Sequence, residues 1–303
     1  NPGQALDQDR MNRATGGVFE LGSVFKTFTT AMALDSGQVT LESSFDARNP
    51  IRVGRFTIGD YHGEHRWLTV PEIFIHSSNI GTAHMARKVG IPGHQAFLRK
   101  MGFYDRLVTE LPESGAPVIP AKWAEVTQMT ISFGHGLQVE PMQAAVAGAA
   151  LVNGGRLIPP TFLTRTKAEA DTLGKQVVSQ STSEQMRYLM RLNVLEGSGK
   201  KADVPGYSVG GKTGTAEKVV DGRYSSGKVL NTFLAAFPTN DPKYLVMVML
   251  DEPKGTKETY GYRTSGWNAA PAVGNIVRRI APLLGIQPQL SPVGGTGPVA
   301  VSY

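Results

Sequence analysis

The sequence contains no cysteine. Disulfide bridges, thiolate metal sites and cysteine nucleophiles are therefore excluded together, and the lack sits comfortably with an oxidising compartment. Long apolar runs are missing too. The longest candidates, Tyr244 to Leu250 and Ala144 to Val152, are core-sized, well short of the roughly 20 residues that cross a bilayer. Charge is sparse: only 18% of residues are Asp, Glu, Lys or Arg. The net charge of +6 comes from 31 Lys and Arg scattered with no run longer than two, so the basic stripe of a nucleic-acid binder is absent. No signal peptide opens the chain, and Asn1-Pro2-Gly3 reads as a piece cut from a longer protein.

What is present is enough for a real core. The chain has 303 residues, 41% of them hydrophobic, with 35 glycines, which excludes a disordered or collagen-like polymer. There is no internal repeat. A helix is expected after Gly22, with Ser23 at its N-cap, apolar spacing through Phe25, Phe28, Met32 and Leu34, and Gly37 at its end. Thr69-Val70-Pro71-Glu72 announces a second helix as a capping box with proline in the first turn. A third starts at Glu140-Pro141 and ends at Asn153-Gly154, and a fourth spans about Ser183 to Leu195. Then the period changes. Tyr207 to Val220, Asn231 to Phe237 and Tyr244 to Leu250 read as strands separated by Asp221-Gly222 and Asn240-Asp241-Pro242-Lys243. Short turns make consecutive strands antiparallel. A helix over about Ala270 to Leu284 closes the domain, 1–290, and Ser291 to Tyr303 reads as a loose tail. Helices followed by a meander give an α+β fold.

Three short motifs carry chemistry. Ser-x-x-Lys occurs at Ser23–Lys26, Ser198–Lys201 and Ser225–Lys228, and about one match is expected by chance. The second and third sit in glycine-flanked, loop-like surroundings; only the first opens a helix. There the spacing puts Ser23 and Lys26 on one face, with free N–H groups and the positive dipole end beside them. A lysine kept dry near another cation loses its proton and can act as a base; the plainer reading is a capping serine and a surface charge. Ser77-Ser78-Asn79 follows the second helix and offers a hydroxyl and an amide two residues apart, or simply a polar loop. Lys212-Thr213-Gly214-Thr215 falls on the first strand after Gly210-Gly211 and suits a substrate carboxylate, or a solvated edge strand.

Two further patterns mislead. Gly206 to Thr213 matches Gly-x4-Gly-Lys-Thr, yet a phosphate loop needs a strand before it and a helix after it, and here a strand follows. His62, Glu64, His65 and His76 suggest zinc, but the spacing is wrong for a helical pair and cysteines are absent, so no metal is expected.

Taken in order, Ser-x-x-Lys, Ser-x-Asn and Lys-Thr-Gly form the signature of β-lactamases and penicillin-binding proteins. The flanks extend the likeness: Asn12-Arg13-Ala14, Phe19-Glu20, Leu68 to Glu72, Phe133-Gly134-His135-Gly136, Val139 to Gln143, Asn153-Gly154-Gly155, Val204 to Tyr207, and Asp251 to Lys254. The chain resembles a class B penicillin-binding protein, most closely the septal, cell-division type. The resemblance implies the penicillin-binding transpeptidase fold, an antiparallel sheet flanked by helices plus a mainly helical subdomain. It implies a serine acyl transferase that cross-links peptidoglycan from D-Ala-D-Ala stem peptides without a cofactor and is inhibited by β-lactams. Ser23 would be the nucleophile, Lys26 the base, and Ser77 the proton shuttle. Asn79 would hold the substrate amide, and Lys212, Thr213, Gly214 and Thr215 would receive the carboxylate, with the N–H groups of Ser23 and Thr215 as oxyanion hole. A serine β-lactamase and a penicillin-sensing domain are the rival readings; no Glu-x-x-Leu-Asn element that would supply a deacylating base is found between Ser77 and Lys212. The resemblance also implies a parent anchored on the periplasmic face of the inner membrane, with a lipid-II polymerase and division proteins as partners through other segments. Leu21 stands where many members have proline, a change expected to touch the turn and not the chemistry. Ser23 comes early for the family, so the sheet is expected to lack one or two strands unless another chain supplies them.

Overall fold

The computed structural model describes residues 11–220 and 222–289; the tail expected from Ser291 lies outside the described residues. One 3-10 turn, Gly22–Phe25, leads into α1 (Lys26–Asp35). Small antiparallel pieces follow: β1 (Ser44–Asp46), β2 (Ile51–Val53), β3 (Phe56–Ile58) and β4 (Trp67–Thr69), with β1 on β4 and β2 on β3. Then come α2 (Val70–Ile75), α3 (Asn79–Lys100), α4 (Glu125–Ser132), α5 (Pro141–Ala150), β5 (Arg156–Leu157), α6 (Lys167–Leu173), β6 (Lys175–Gln176) and α7 (Gln180–Leu195). The chain finishes with β7 (Gly210–Val220), β8 (Arg223–Phe237), β9 (Tyr244–Asp251) and α8 (Ala269–Leu283).

The α+β expectation holds, and the main sheet is the antiparallel meander β7-β8-β9. Alternation along β8 explains its apolar run. Leu234 and Ala236 face the core built by α1, α2, α3, α5 and α7, while Phe233, Ala235 and Phe237 face α8. Both sides are buried, so the strand need not alternate with polar residues. α1 sits at the centre of the larger core, buried from Lys26 to Leu34, as an all-round enclosed helix should be. Phe25, Phe28 and Phe103 pack with ring centroids 4.9–5.3 Å apart.

Local signals acted as expected at α2, where Thr69 N–H and Oγ1 donate to Glu72 at 2.8 and 2.9 Å and the reciprocal half of the capping box is formed. At α7 the start moves back to Gln180, because the Ser179 hydroxyl caps the Thr182 N–H. One expectation is corrected. Ser23 is not an N-cap: it lies within the 3-10 turn, and α1 begins after Phe25 without a side-chain cap. The Lys26 N–H is satisfied by the Ser23 and Val24 carbonyls, so the Ser23 hydroxyl is not consumed by the helix end. Ser225–Lys228 is likewise not in a loop but on β8, beside a register shift opposite Glu217 and Lys218.

Candidate active site

The nucleophile turn is pressed between two other backbones, and glycines make that possible. Gly22 is left-handed at φ +52, and a Cβ there would lie 2.8 Å from the Thr215 carbonyl oxygen. A Cβ on Gly214 would come within 2.3 Å of the Leu21 oxygen, and one on Gly134 within 2.1 Å of the Gly22 oxygen. Contacts that short exclude any side chain. The Ser23 turn, the Phe133–Gly136 loop and β7 therefore meet backbone to backbone. Leu21 is buried, and its carbonyl closes the turn by accepting the Val24 N–H at 3.4 Å.

Lys26 is one residue into α1 and only 1% exposed. Its amine donates to the carbonyl of Ser77, and to the Ser77 hydroxyl at 3.1 Å. Lys212, on β7 and fully buried, donates to the same hydroxyl at 2.9 Å. Ser77 receives both because its backbone is left-handed, φ +56, between the end of α2 and the start of α3. Such a conformation in a non-glycine residue is costly and is often kept at functional sites. Two amines thus converge on one hydroxyl beside the Ser23 turn.

The electrostatic consequence is large. Burial pushes the Lys26 amine down to about 7, partly opposed by the Asp60 carboxylate. Burial also holds Lys212 well below its ordinary value, and the charge of Lys26 lowers it further. His135, edge-on to Phe133 and Tyr224, is pushed down to about 4, first by burial and then by Lys26.

Asp60 has no motif to mark it in the sequence, yet its negative charge works against the burial of Lys26 and favours the cation. One oxygen accepts the Ser78 hydroxyl at 2.7 Å; the other accepts the N–H groups of Asn79 and of Ile80, the latter at 3.0 Å. The carboxylate therefore sits at the N-terminus of α3, a favourable place for negative charge. Asn79 itself is tied down, its Nδ2 donating to the Gly59 carbonyl at 2.9 Å. Asp60→Ala leaves these donors unpaired, and is expected to destabilise the fold by about 2 kcal/mol. Urea unfolding measures this, and an unchanged midpoint would show that the Asp60 contacts carry no weight.

Thr213 and Thr215 are two apart on β7 and share a face. The Thr215 hydroxyl oxygen accepts the Ser265 N–H at 3.1 Å, which leaves its proton free to donate. The Thr213 hydroxyl lies 2.6 Å from the Ser198 hydroxyl. The Lys212 amine joins this strand to the second motif, donating to the Ser77 hydroxyl at 2.9 Å and to the Thr213 carbonyl at 3.3 Å. The Gly-x4-Gly-Lys-Thr match ends in the same strand, which runs through a hairpin into β8 rather than into a helix. His76 faces Glu64 at 3.2 Å. A cavity of about 270 Å³ around Arg99, Tyr104 and Pro120, and one of about 170 Å³ along Ala216 to Val219, both lie outside this cleft.

Residues 1–278 match the family model of the penicillin binding protein transpeptidase domain. The chain belongs to that family. Over 294 residues it is 45% identical to a probable peptidoglycan D,D-transpeptidase FtsI of Caulobacter vibrioides, an alignment covering 94% of this chain and 50% of that protein. The chain thus spans about half of that relative's length. The transpeptidase domain of penicillin-binding protein 3 from Burkholderia pseudomallei superposes with a TM-score of 0.85 at 30% identity, covering 93% of this chain and 84% of that one. Penicillin-binding protein 3 of Mycobacterium tuberculosis in complex with ampicillin gives 0.83 at 27% identity, over 93% of this chain and 66% of that one. The penicillin-binding transpeptidase fold expected from the motifs is the fold observed.

Proposed function

We propose that this chain is the acyl-transfer domain of a septal peptidoglycan D,D-transpeptidase. The observation that carries the reading is the pair of buried amines on Ser77 next to the turn that presents Ser23. Lys26 takes the proton of the Ser23 hydroxyl as its Oγ attacks the penultimate D-alanine carbonyl of a stem peptide. The resulting oxyanion is held by the N–H groups of Ser23 and Thr215, each worth about 3–4 kcal/mol. Ser77, between the two amines, passes a proton to the nitrogen of the terminal D-alanine, whose bond to the carbonyl carbon breaks. The acyl-enzyme is then attacked by an amine of a neighbouring stem, which gives up its proton and restores the Ser23 hydroxyl. Asn79 holds the substrate amide. Lys212, Thr213, Gly214 and Thr215 receive the terminal carboxylate, and the Lys212 amine also reaches the Ser77 hydroxyl.

β-Lactams present the same carbonyl and carboxylate, and are inhibitors by this reading; the ampicillin complex of the mycobacterial relative supports it. The likeness to FtsI supports a role in division. Lipid-II polymerase and division partners, an inner-membrane anchor and a periplasmic setting belong to the parent protein. No helix among the described residues is long and apolar enough to cross a membrane.

The test is a thioester donor that ends in a carboxylate, offered with and without a D-amino acid acceptor. The purified chain is expected to release the thiol and, with acceptor present, to form the transfer product. Nitrocefin should be opened about once per chain and then stall, since no Glu-x-x-Leu-Asn element lies between Ser77 and Lys212 to activate water. Rapid continuous nitrocefin turnover would make the domain a β-lactamase instead.

A further inference from the structure

The second Ser-x-x-Lys match is not a second nucleophile. Lys201 lies over the Trp267 ring at 4.2 Å, so its amine is committed elsewhere. Ser198 meets the candidate carboxylate site: its hydroxyl is 2.6 Å from that of Thr213 and 3.2 Å from the Asn193 side-chain oxygen.

Asn193 fixes the polarity of this chain of groups. It is fully buried near the end of α7, and its Nδ2 donates to the Gly211 carbonyl on β7 at 2.7 Å. The amide oxygen therefore faces Ser198, where it accepts both the Ser198 N–H and the Ser198 hydroxyl, each at 3.2 Å. The Asn193 carbonyl holds the same loop through the N–H groups of Gly197 and Gly199, at 3.0 and 3.1 Å. With the Ser198 proton on Asn193, the close contact to Thr213 is made by the Thr213 proton, and Thr213 then offers only lone pairs to the cleft. A carboxylate needs a donor. Rotation of two O–H bonds supplies one without moving any heavy atom. Thr213 turns its proton to the carboxylate, and Ser198 turns its own from Asn193 to Thr213. Asn193 keeps the Ser198 N–H throughout.

We propose that Ser198 is a positioning residue for the substrate carboxylate: through the Asn193–Ser198–Thr213 relay it donates to the Thr213 hydroxyl oxygen and so turns the Thr213 proton toward that group. This deepens the transpeptidase reading and rests on it. Ser198 touches neither the scissile carbonyl nor the base, so its effect belongs in binding and not in the chemical step.

Acylation kinetics with benzylpenicillin and with its methyl ester, which lacks the carboxylate, test the relay. Ser198→Ala is expected to lower the second-order acylation constant for benzylpenicillin about tenfold, almost wholly through the binding constant. The ester is expected to lose no more than about twofold on the same substitution. Ser198→Thr, which keeps a hydroxyl, should restore most of the loss. Thr213→Val should cost benzylpenicillin at least as much, and adding Ser198→Ala to it should cost nothing further, because the relay is already cut. Equal losses for acid and ester, or full additivity of the two substitutions, would overturn the proposal. Failure of the unsubstituted chain to react with benzylpenicillin would instead overturn the transpeptidase reading beneath it.

Discussion

Replacing Lys26 by alanine is expected to slow acylation of this chain by roughly a thousandfold, the range in which a well-placed general base contributes. The amine is buried, one turn from Ser23, and shares the Ser77 hydroxyl with Lys212. Its titration gives the sign of the pH effect. Burial lowers Lys26 to about 7, so the neutral amine is the minor form below that pH and the major form above it. The acylation rate should therefore rise with pH through about 7 and level off above, and Lys26→Ala should remove that limb. Glu140 is also raised to about 7, by burial, and titrates in the same window. It contacts Ser114 rather than Ser77 or Ser23, so Glu140→Gln should keep the limb. His135 sits at about 4 and stays neutral across the range. A Lys26→Ala protein that acylates at an undiminished rate would assign the activation of Ser23 to another group.

Much of this was legible in the residues, and the exceptions have physical causes. The capping box at Thr69, the Pro141 start and the meander announced themselves through local chemistry, which the fold respects. α3 did not. Gly90, non-helical at φ +80, and Pro92 interrupt its 22 residues, and such punctuation normally ends a helix. The three-residue strands β1 to β4 are too short to show a period. β8 starts at Arg223, eight residues before the apolar run expected at Asn231, because its first part is polar and includes Gly227. At the site, Ser23, Lys26, Ser77 and Lys212 carried their own pattern. Asp60 did not, and the Ser-x-x-Lys match at Ser198 is unrelated to its place: an Asp after Gly59 and a serine in a glycine loop acquire meaning only when the chain returns them to α3 and β7. Ser23 reads as a helix cap in the sequence because the 3-10 turn before α1 has no mark distinct from a helix start.

The claim on which all else depends is that Ser23 is the acylated atom's residue. Ser23→Ala removes the only oxygen that the proposed mechanism can join to the carbonyl, so covalent capture should vanish rather than slow. Intact-mass measurement after incubation with benzylpenicillin, followed by peptide mapping, reads this directly. The unsubstituted chain should gain the mass of one penicilloyl group, carried on the peptide containing Gly22 to Lys26. Ser23→Ala, shown to be folded by its unfolding transition, should gain none. A penicilloyl adduct that persists in folded Ser23→Ala, or that maps to another serine such as Ser77 or Ser198, would contradict the account.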